Sequence, residues 1–248
     1  GVSLLDDAGR HTLEQEALPR FLKRQRWFRS KARELVSLRI LDWCSLGAGL
    51  HVTFVEIRYG EGEPERYALP MKAVTGKAAQ RVAETIPDSL IARLRTPRAE
   101  GVICDALADG SSCRALYAGI ADGREYDTAH GGRIHAFTAG RHPGDLTPRA
   151  SGARIRRLSA EQSNTSIIID DEHVLKFFRH IEGGLNPDLE VGLHLTERTR
   201  FDAMPPVHGG MAYHDTEGVE STVAMLQDFV VSEGDGWDKG LEAARDFL

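Results

Sequence analysis

The chain has 248 residues, 41% hydrophobic and 27% charged, with a formal net charge of −6. This suits one large soluble domain or two ordinary ones. The negative balance argues against a dedicated nucleic-acid binder, and no apolar run approaches the roughly 20 residues that span a bilayer.

In chain order, Leu18, Phe21, Leu22 and Trp27 recur at helical spacing and predict a helix over Leu13–Trp27, with Pro19 inside it. Arg20, Lys23, Arg24, Arg26, Arg29, Lys31 and Arg33 make that region basic, which reads as a solvated face anchored by Trp27 and Phe28. Leu35–Trp43, Leu50–Tyr59 and Arg66–Val74 read as strands. The apolar phase of the second flips at Phe54-Val55, which requires either a bulge or cover on both faces. Ser111–Ile120 reads as a helix capped by Ser111 or Ser112.

Gly and Pro concentrate between Gly140 and Gly152, predicting a boundary near residue 150. Beyond it, Arg154–Ser159, Thr165–Asp170 and His173–Arg179 read as strands, the last two joined by a tight Asp171-Glu172 turn. Asn186 and Pro187 are an N-cap and a first helical residue, and two strands follow at Val207–Tyr213 and Ser221–Val230. Trp237, Leu241, Ala244 and Phe247 then recur at helical spacing. The fold class expected is α+β: residues 1–150 as meandering strands with helices, and residues 151–248 as a five-stranded antiparallel sheet with one helix.

The chemistry concentrates in the second segment. Glu161-Gln162-Ser163-Asn164-Thr165-Ser166 is a polar loop without glycine, Lys176 lies in an apolar strand, and Glu190 sits one turn into the next helix. A polar loop, a strand lysine and a helix carboxylate in that order suit a nucleotide's phosphates. The loop offers backbone and hydroxyl donors, the lysine a charge, and the carboxylate holds the lysine. Glu190 is the preferred partner of Lys176 and Glu197 the fallback, while Asp188 suits the positive end of the helix. Each element has a plainer reading: edge lysines are common, and Ser/Thr/Asn clusters are often ordinary turns. Gln227 and Phe229 stand where the last strand becomes a hinge whose backbone could meet an adenine edge.

The ten histidines show no HExxH or paired-ligand spacing, so no metal ligands are assigned; His142 to Asp145 and His208-Gly209-Gly210 lack a following metal-binding Asn. Cys44, Cys104 and Cys113 are odd in number and without CxxC spacing. Together with an N-terminus unlike a signal peptide, they favour reduced thiols and a cytoplasmic protein.

With these residues in hand, the sequence resembles the bacterial maltokinases, including those fused to trehalose synthase. Gln25-Arg26-Trp27-Phe28 with Lys31 resembles that family's N-terminal cap signature, with Arg29-Ser30 where two glycines are usual. Glu161–Ser166 resembles the family's serine-rich phosphate loop, Val174-Leu175-Lys176 its nucleotide lysine, and Asn186–Glu190 its helix opening. Leu226-Gln227 with Gly234-Asp235-Gly236-Trp237 resembles its hinge region.

The resemblance implies a fold like that of aminoglycoside phosphotransferases. It further implies transfer of the ATP γ-phosphate to the anomeric hydroxyl of maltose, giving maltose 1-phosphate for trehalose, glycogen and other α-glucan metabolism. ATP and magnesium are then the cofactors, with Ser163, Asn164, Thr165, Ser166, Lys176, Glu190, Gln227 and Phe229 on the nucleotide. The catalytic Asp and the magnesium ligands belong to a second lobe that these residues are expected to lack, leaving the chain alone inactive. A docking module for trehalose synthase, or part of another kinase of this type, are the alternatives. Partners expected are nucleotide, maltose, trehalose synthase or a second copy of the chain, with neither nucleic acid nor membrane.

Overall fold

The structure is a computed structural model and describes residues 5–47, 49–95, 100–140, 146, 152–158, 163–231 and 236–247. Helix α1 (Asp7–Thr12), a π turn (Leu13–Ala17) and α2 (Leu18–Arg24) follow one another without a break. The Asp6 carboxylate caps α1 by accepting from Gly9 N, so the helix starts earlier than the apolar spacing indicates. Pro19 falls in the first turn of α2, where its missing N–H costs least.

The first sheet runs β1 (Leu35–Gly47), β2 (Leu50–Tyr59), β3 (Glu65–Thr75), β5 (Glu100–Asp105) and β4 (Leu90–Arg95), antiparallel throughout. With α3 (Gly76–Thr85), β4 and β5 fill a stretch where the sequence reading places no element. Both explanations of the phase flip in β2 hold. Leu50, Val52 and Phe54 join one core, whereas Val55, Ile57 and Tyr59 join another beneath the π turn and α2. Opposite the flip, the β1 register slips between Ile40 and Asp42.

Helix α4 (Gly110–Ala121) is capped by Asp109 rather than by the expected Ser111 or Ser112; the Ser112 hydroxyl instead donates to Asp109 Oδ2 at 3.1 Å. Next come β6 (Glu125–Asp127), β7 (Arg133–Thr138), β8 (Ile155–Arg157), β9 (Asn164–Ile169), β10 (His173–Phe178), β11 (His180–Ile181), α5 (Pro187–Arg198), β12 (Val207–His214), β13 (Glu220–Asp228) and α6 (Gly236–Phe247). The second sheet is ordered β6-β7-β12-β13-β10-β9-β8. It contains the five expected strands, β8, β9, β10, β12 and β13, and β6 and β7 extend it beyond β12. The β9–β10 turn lies one residue earlier than expected. Asp170 and Asp171 both take positive φ (54° and 55°), and Glu172 N bonds Ile169 O at 3.0 Å. Asp is among the few residues other than Gly that adopt this conformation readily. Much of the glycine- and proline-rich stretch, residues 141–145 and 147–151, lies outside the described residues, while Leu146 is buried.

The two sheets are tied by one continuous piece of chain. Past Phe178 the β10 strand runs through Arg179 into β11, which leaves the second sheet and pairs with β3 of the first. Arg179 O accepts from Ala68 N at 2.8 Å at the crossing. Between the sheets, Phe54, Leu116, Ile120, Leu175, Phe177 and Leu226 form one apolar core. Helix α5 covers the other face of the second sheet, with Leu189 against Phe178, Val207 and Met225. Trp237, Leu241 and Phe247 of α6 are exposed. No helix among the described residues is long and apolar enough to cross a membrane. Cys44, Cys104 and Cys113 are free and buried, and burial pushes each thiol up to about 12, so none is a ready nucleophile.

Two carboxylates set the acid limit of this fold. Burial works to raise Asp109, but Lys72 Nζ at 2.7 Å and the Ser111 hydroxyl outweigh it and hold the carboxyl down to about 2, from an ordinary 3.8. Burial likewise opposes ionisation of Glu65, yet donation from Tyr59, Ser30 and Tyr67 lowers it below 4.5. Depressed carboxylates stabilise above their unfolded values and lose that contribution as pH falls through the folded ones. The urea midpoint is therefore expected to drop from about pH 4.5 downwards and most steeply towards pH 2. Asp109→Asn keeps a capping oxygen but removes the charge. It should lower stability at pH 6 and flatten the fall between pH 4 and 2; a profile parallel to wild type would overturn this assignment.

Candidate functional site

Side chains alternate along β10, so Val174, Lys176 and Phe178 share the face that α5 covers. Lys176 pairs in register with Ser166 of β9 and Met225 of β13. Its ammonium lies 3.7 Å from Asp188 Oδ2, in the first turn of α5, with side-chain exposures of 23% and 56%. The carboxylate at ion-pair distance is thus Asp188 and not Glu190. Successive helical residues are about 100° apart. With Leu189 turned into the sheet, Asp188 and Glu190 flank it on opposite sides, and only one can face the lysine. Glu190 is exposed, its N–H closing the first turn on Asn186 O at 2.9 Å. Glu197, the fallback, accepts instead from Gly140 N at 3.3 Å. A pair this open contributes at most about 1 kcal/mol to stability. Its consequence is to orient the ammonium.

Beside the pair lies a cleft of 310 Å³ between the start of β9, the end of β10 and the opening of α5. Arg29, Ser163, Asn164, Phe178, Asn186 and Asp188 are among its lining residues. Asn186 caps α5 by accepting from Asp188 N at 2.9 Å, and Pro187 follows, so the positive end of a 12-residue helix opens at the cleft. Arg29 reaches the cleft from the first segment. Ser30 is used otherwise, donating to Glu65 Oε1 at 2.7 Å. The turn before them is a structural clamp. Gln25 Nε2 donates to Asp88 O at 2.9 Å, and Trp27 packs between Phe21 and Tyr67. The basic run around it is largely exposed, as expected, although Arg33 is partly buried against Glu65 at 3.1 Å.

The remaining sequence-predicted residues are placed as follows. Ser163 and Asn164 border the cleft, whereas Glu161 and Gln162 lie outside the described residues. Thr165 and Ser166 lie in β9, as the strand reading of Thr165–Asp170 expects, but both are buried there rather than at a loop tip, and Thr165 Oγ1 accepts from Arg179 Nε at 3.0 Å. They are not exposed to a ligand in this state. Gln227 is half-buried on the Lys176 face, cross-strand from Val174 and Val207. The N–H groups of Asp228 and Phe229 are engaged by Pro206 O at 3.0 Å and Glu172 O at 2.7 Å, and the Arg156 guanidinium lies 5.7 Å from the Phe229 ring centre. Gly234 and Asp235 lie outside the described residues.

Sequence reasoning missed Arg179. Its guanidinium, 1% exposed, meets Asp105 Oδ2 at 2.6 Å and lies over the Trp27 ring at 4.8 Å. The run from Phe177 to Arg179 looks like an ordinary strand end, and nothing local announces a partner on β5.

The antiparallel order β8-β9-β10-β13-β12, with its lysine strand against a helix and a second sheet behind it, is the architecture of a kinase-like small lobe beside a cap. Residues 21–109 match the family model described as the maltokinase N-terminal cap domain. A solved glucosamine kinase (crystal form B) is similar in fold, with a TM-score of 0.51 and 16% identity over 89% of this chain and 42% of that one. A glucosamine kinase in complex with glucosamine, ADP and inorganic phosphate aligns at a TM-score of 0.49 and 18% identity, over 83% of this chain and 38% of that one. The chain spans about two fifths of the length of these structures.

Proposed function

We propose that this chain is the cap and nucleotide-gripping small lobe of a maltokinase, in which ATP gives its γ-phosphate to the anomeric hydroxyl of maltose. The observation that carries the reading is the maltokinase cap match at residues 21–109. Lys176, oriented by Asp188, supports it beside an anion-suited cleft. In this reading residues 1–150 form the cap and residues 151–248 the lobe, with β6 and β7 bridging them. Lys176, Arg29 and the α5 N-terminus meet the phosphates, and the base lies against the sheet near Val174 and Gln227. Because the Asp228 and Phe229 N–H groups are engaged, hinge donors begin at Val230.

The product would be maltose 1-phosphate, feeding trehalose and α-glucan metabolism in the cytoplasm, with trehalose synthase as a fused or associated partner. ATP enters with magnesium, for which no ligands are assigned in these residues. The chemistry also needs a base on the acceptor hydroxyl and metal between the phosphates. Residues 1–248 by themselves are therefore expected to release no ADP in a coupled assay with maltose, ATP and magnesium. Clear maltose-dependent turnover would overturn the assignment of catalysis to a second lobe. Turnover by a longer form with glucosamine instead of maltose would redirect the substrate.

A further inference from the structure

Three adjacent strands bring two imidazoles and a carboxylate together at one end of the second sheet. His173 opens β10, Asp228 closes β13 directly opposite it in register, and His208 lies on β12. The β12–β13 register slips between Val207 and Gly209, so His208 sits in a bulge. The chain can make that bulge only with glycine next, because a Cβ on Gly209 would lie 2.2 Å from Phe137 O. His208 Nε2 is 2.6 Å from Asp228 Oδ1, and the His173 ring stands edge-on to it with centroids 5.1 Å apart. Tyr117 of α4 backs His173 at 5.7 Å. One ligand atom from each of the three lies within 4.8 Å of the others.

We propose that His173, His208 and Asp228 form a binding site for a first-row divalent metal ion, zinc above all. Two imidazole nitrogens and one carboxylate oxygen are a donor set that zinc takes with a water in the fourth position. Magnesium, which prefers all-oxygen octahedra, does not suit it. Zinc–ligand bonds of about 2.0–2.1 Å place ligands roughly 3.4 Å apart, so small rotations of side chains on fixed strands close the set. With side chains 21% and 41% exposed, His208 and Asp228 leave a way in and room for the water. Because side chains alternate along β10, His173 points to the face opposite Lys176, so this site is separate from the cleft described above. A bound ion would clamp the ends of β10, β12 and β13 immediately before Phe229. Spacing along the chain could not reveal it, since the ligands come from three separate strands.

The test is calorimetric titration of chelator-stripped protein with zinc chloride, with cobalt chloride as a spectroscopic probe. One zinc per chain, tetrahedral cobalt bands and no response to magnesium chloride are expected. His208→Gln should weaken zinc binding by about 100-fold or more, beyond the 10–100-fold cost of losing outer-shell partners. His173→Gln and Asp228→Asn should weaken it too, and His194→Gln on the exposed side of α5 should not. If His173→Gln fails to fold, the variant at the partly exposed His208 decides. Unchanged affinity in His208→Gln, or no binding by wild type, would overturn the site and leave a plain His–Asp hydrogen bond.

Discussion

Asp105→Asn is expected to destabilise the protein by about 3–5 kcal/mol, the usual cost of leaving one member of a buried ion pair alone. Asp105 and Arg179 are 2% and 1% exposed and meet at 2.6 Å. Burial lowers the proton affinity of Arg179 while Asp105 opposes the shift, and a guanidinium stays charged in either case. Without the carboxylate, a cation would remain between the Trp27 and Phe177 rings with Thr165 as its other hydrogen-bond partner. For a chain of this size the loss is about 6–20 °C in Tm. Arg179→Met should cost similarly, because it strands Asp105, but Asp105→Leu with Arg179→Met should recover most of the loss. Urea unfolding of Asp105→Leu, Arg179→Met and the variant carrying both gives the coupling. Additive losses would show that the pair does not join the sheets. Since the pair bridges β5 to the end of β10, its loss should also separate the unfolding of the two sheets into two steps.

The sequence showed some of this architecture because local signals were strong. Asn186-Pro187 marks the start of α5 whatever packs around it, and the apolar run about Lys176 can only be a strand. The phase flip at Phe54-Val55 recorded two cores, because each half of β2 buries its own face. What stayed hidden depends on long-range geometry. Asp188 and Glu190 are equally plausible partners until the side of α5 that faces Lys176 is known. Thr165 and Ser166 read both as the end of the polar loop and as the start of a strand, and the strand reading holds: both are buried in β9, and the Thr165 hydroxyl accepts from Arg179, whose own partner lies on another sheet. The Asp170-Asp171 turn was displaced by one residue because it forms without the glycine that usually marks positive φ. Strands β6 and β7 are short, and their place beside β12 follows from β7–β12 pairing that no local pattern encodes.

Lys176→Met is expected to weaken nucleotide binding by residues 1–248 about 10- to 100-fold, as measured by displacement of a fluorescent ATP analogue. Removing a charged donor from a phosphate forfeits about 1.5–3 kcal/mol, which corresponds to that range. Methionine keeps the length and apolar stem, so β10 should retain its place between β9 and β13, and far-ultraviolet dichroism should not change. The partners of the lysine then separate the two possible geometries. With the ammonium 3.7 Å from Asp188 Oδ2, Asp188→Asn should loosen its orientation and cost several-fold, whereas Glu190→Gln should change affinity less than about twofold. The reverse order would mean that α5 turns on binding and brings Glu190 to the lysine, a helix swing of the kind that switches kinase-like lobes. Arg29→Ala tests the contribution of the cap independently. Its side chain borders the cleft from the turn between α2 and β1 and belongs to no strand. A loss comparable to that of Lys176→Met would mean that the cap shares the phosphate grip, and unchanged affinity would confine the grip to the second sheet and α5.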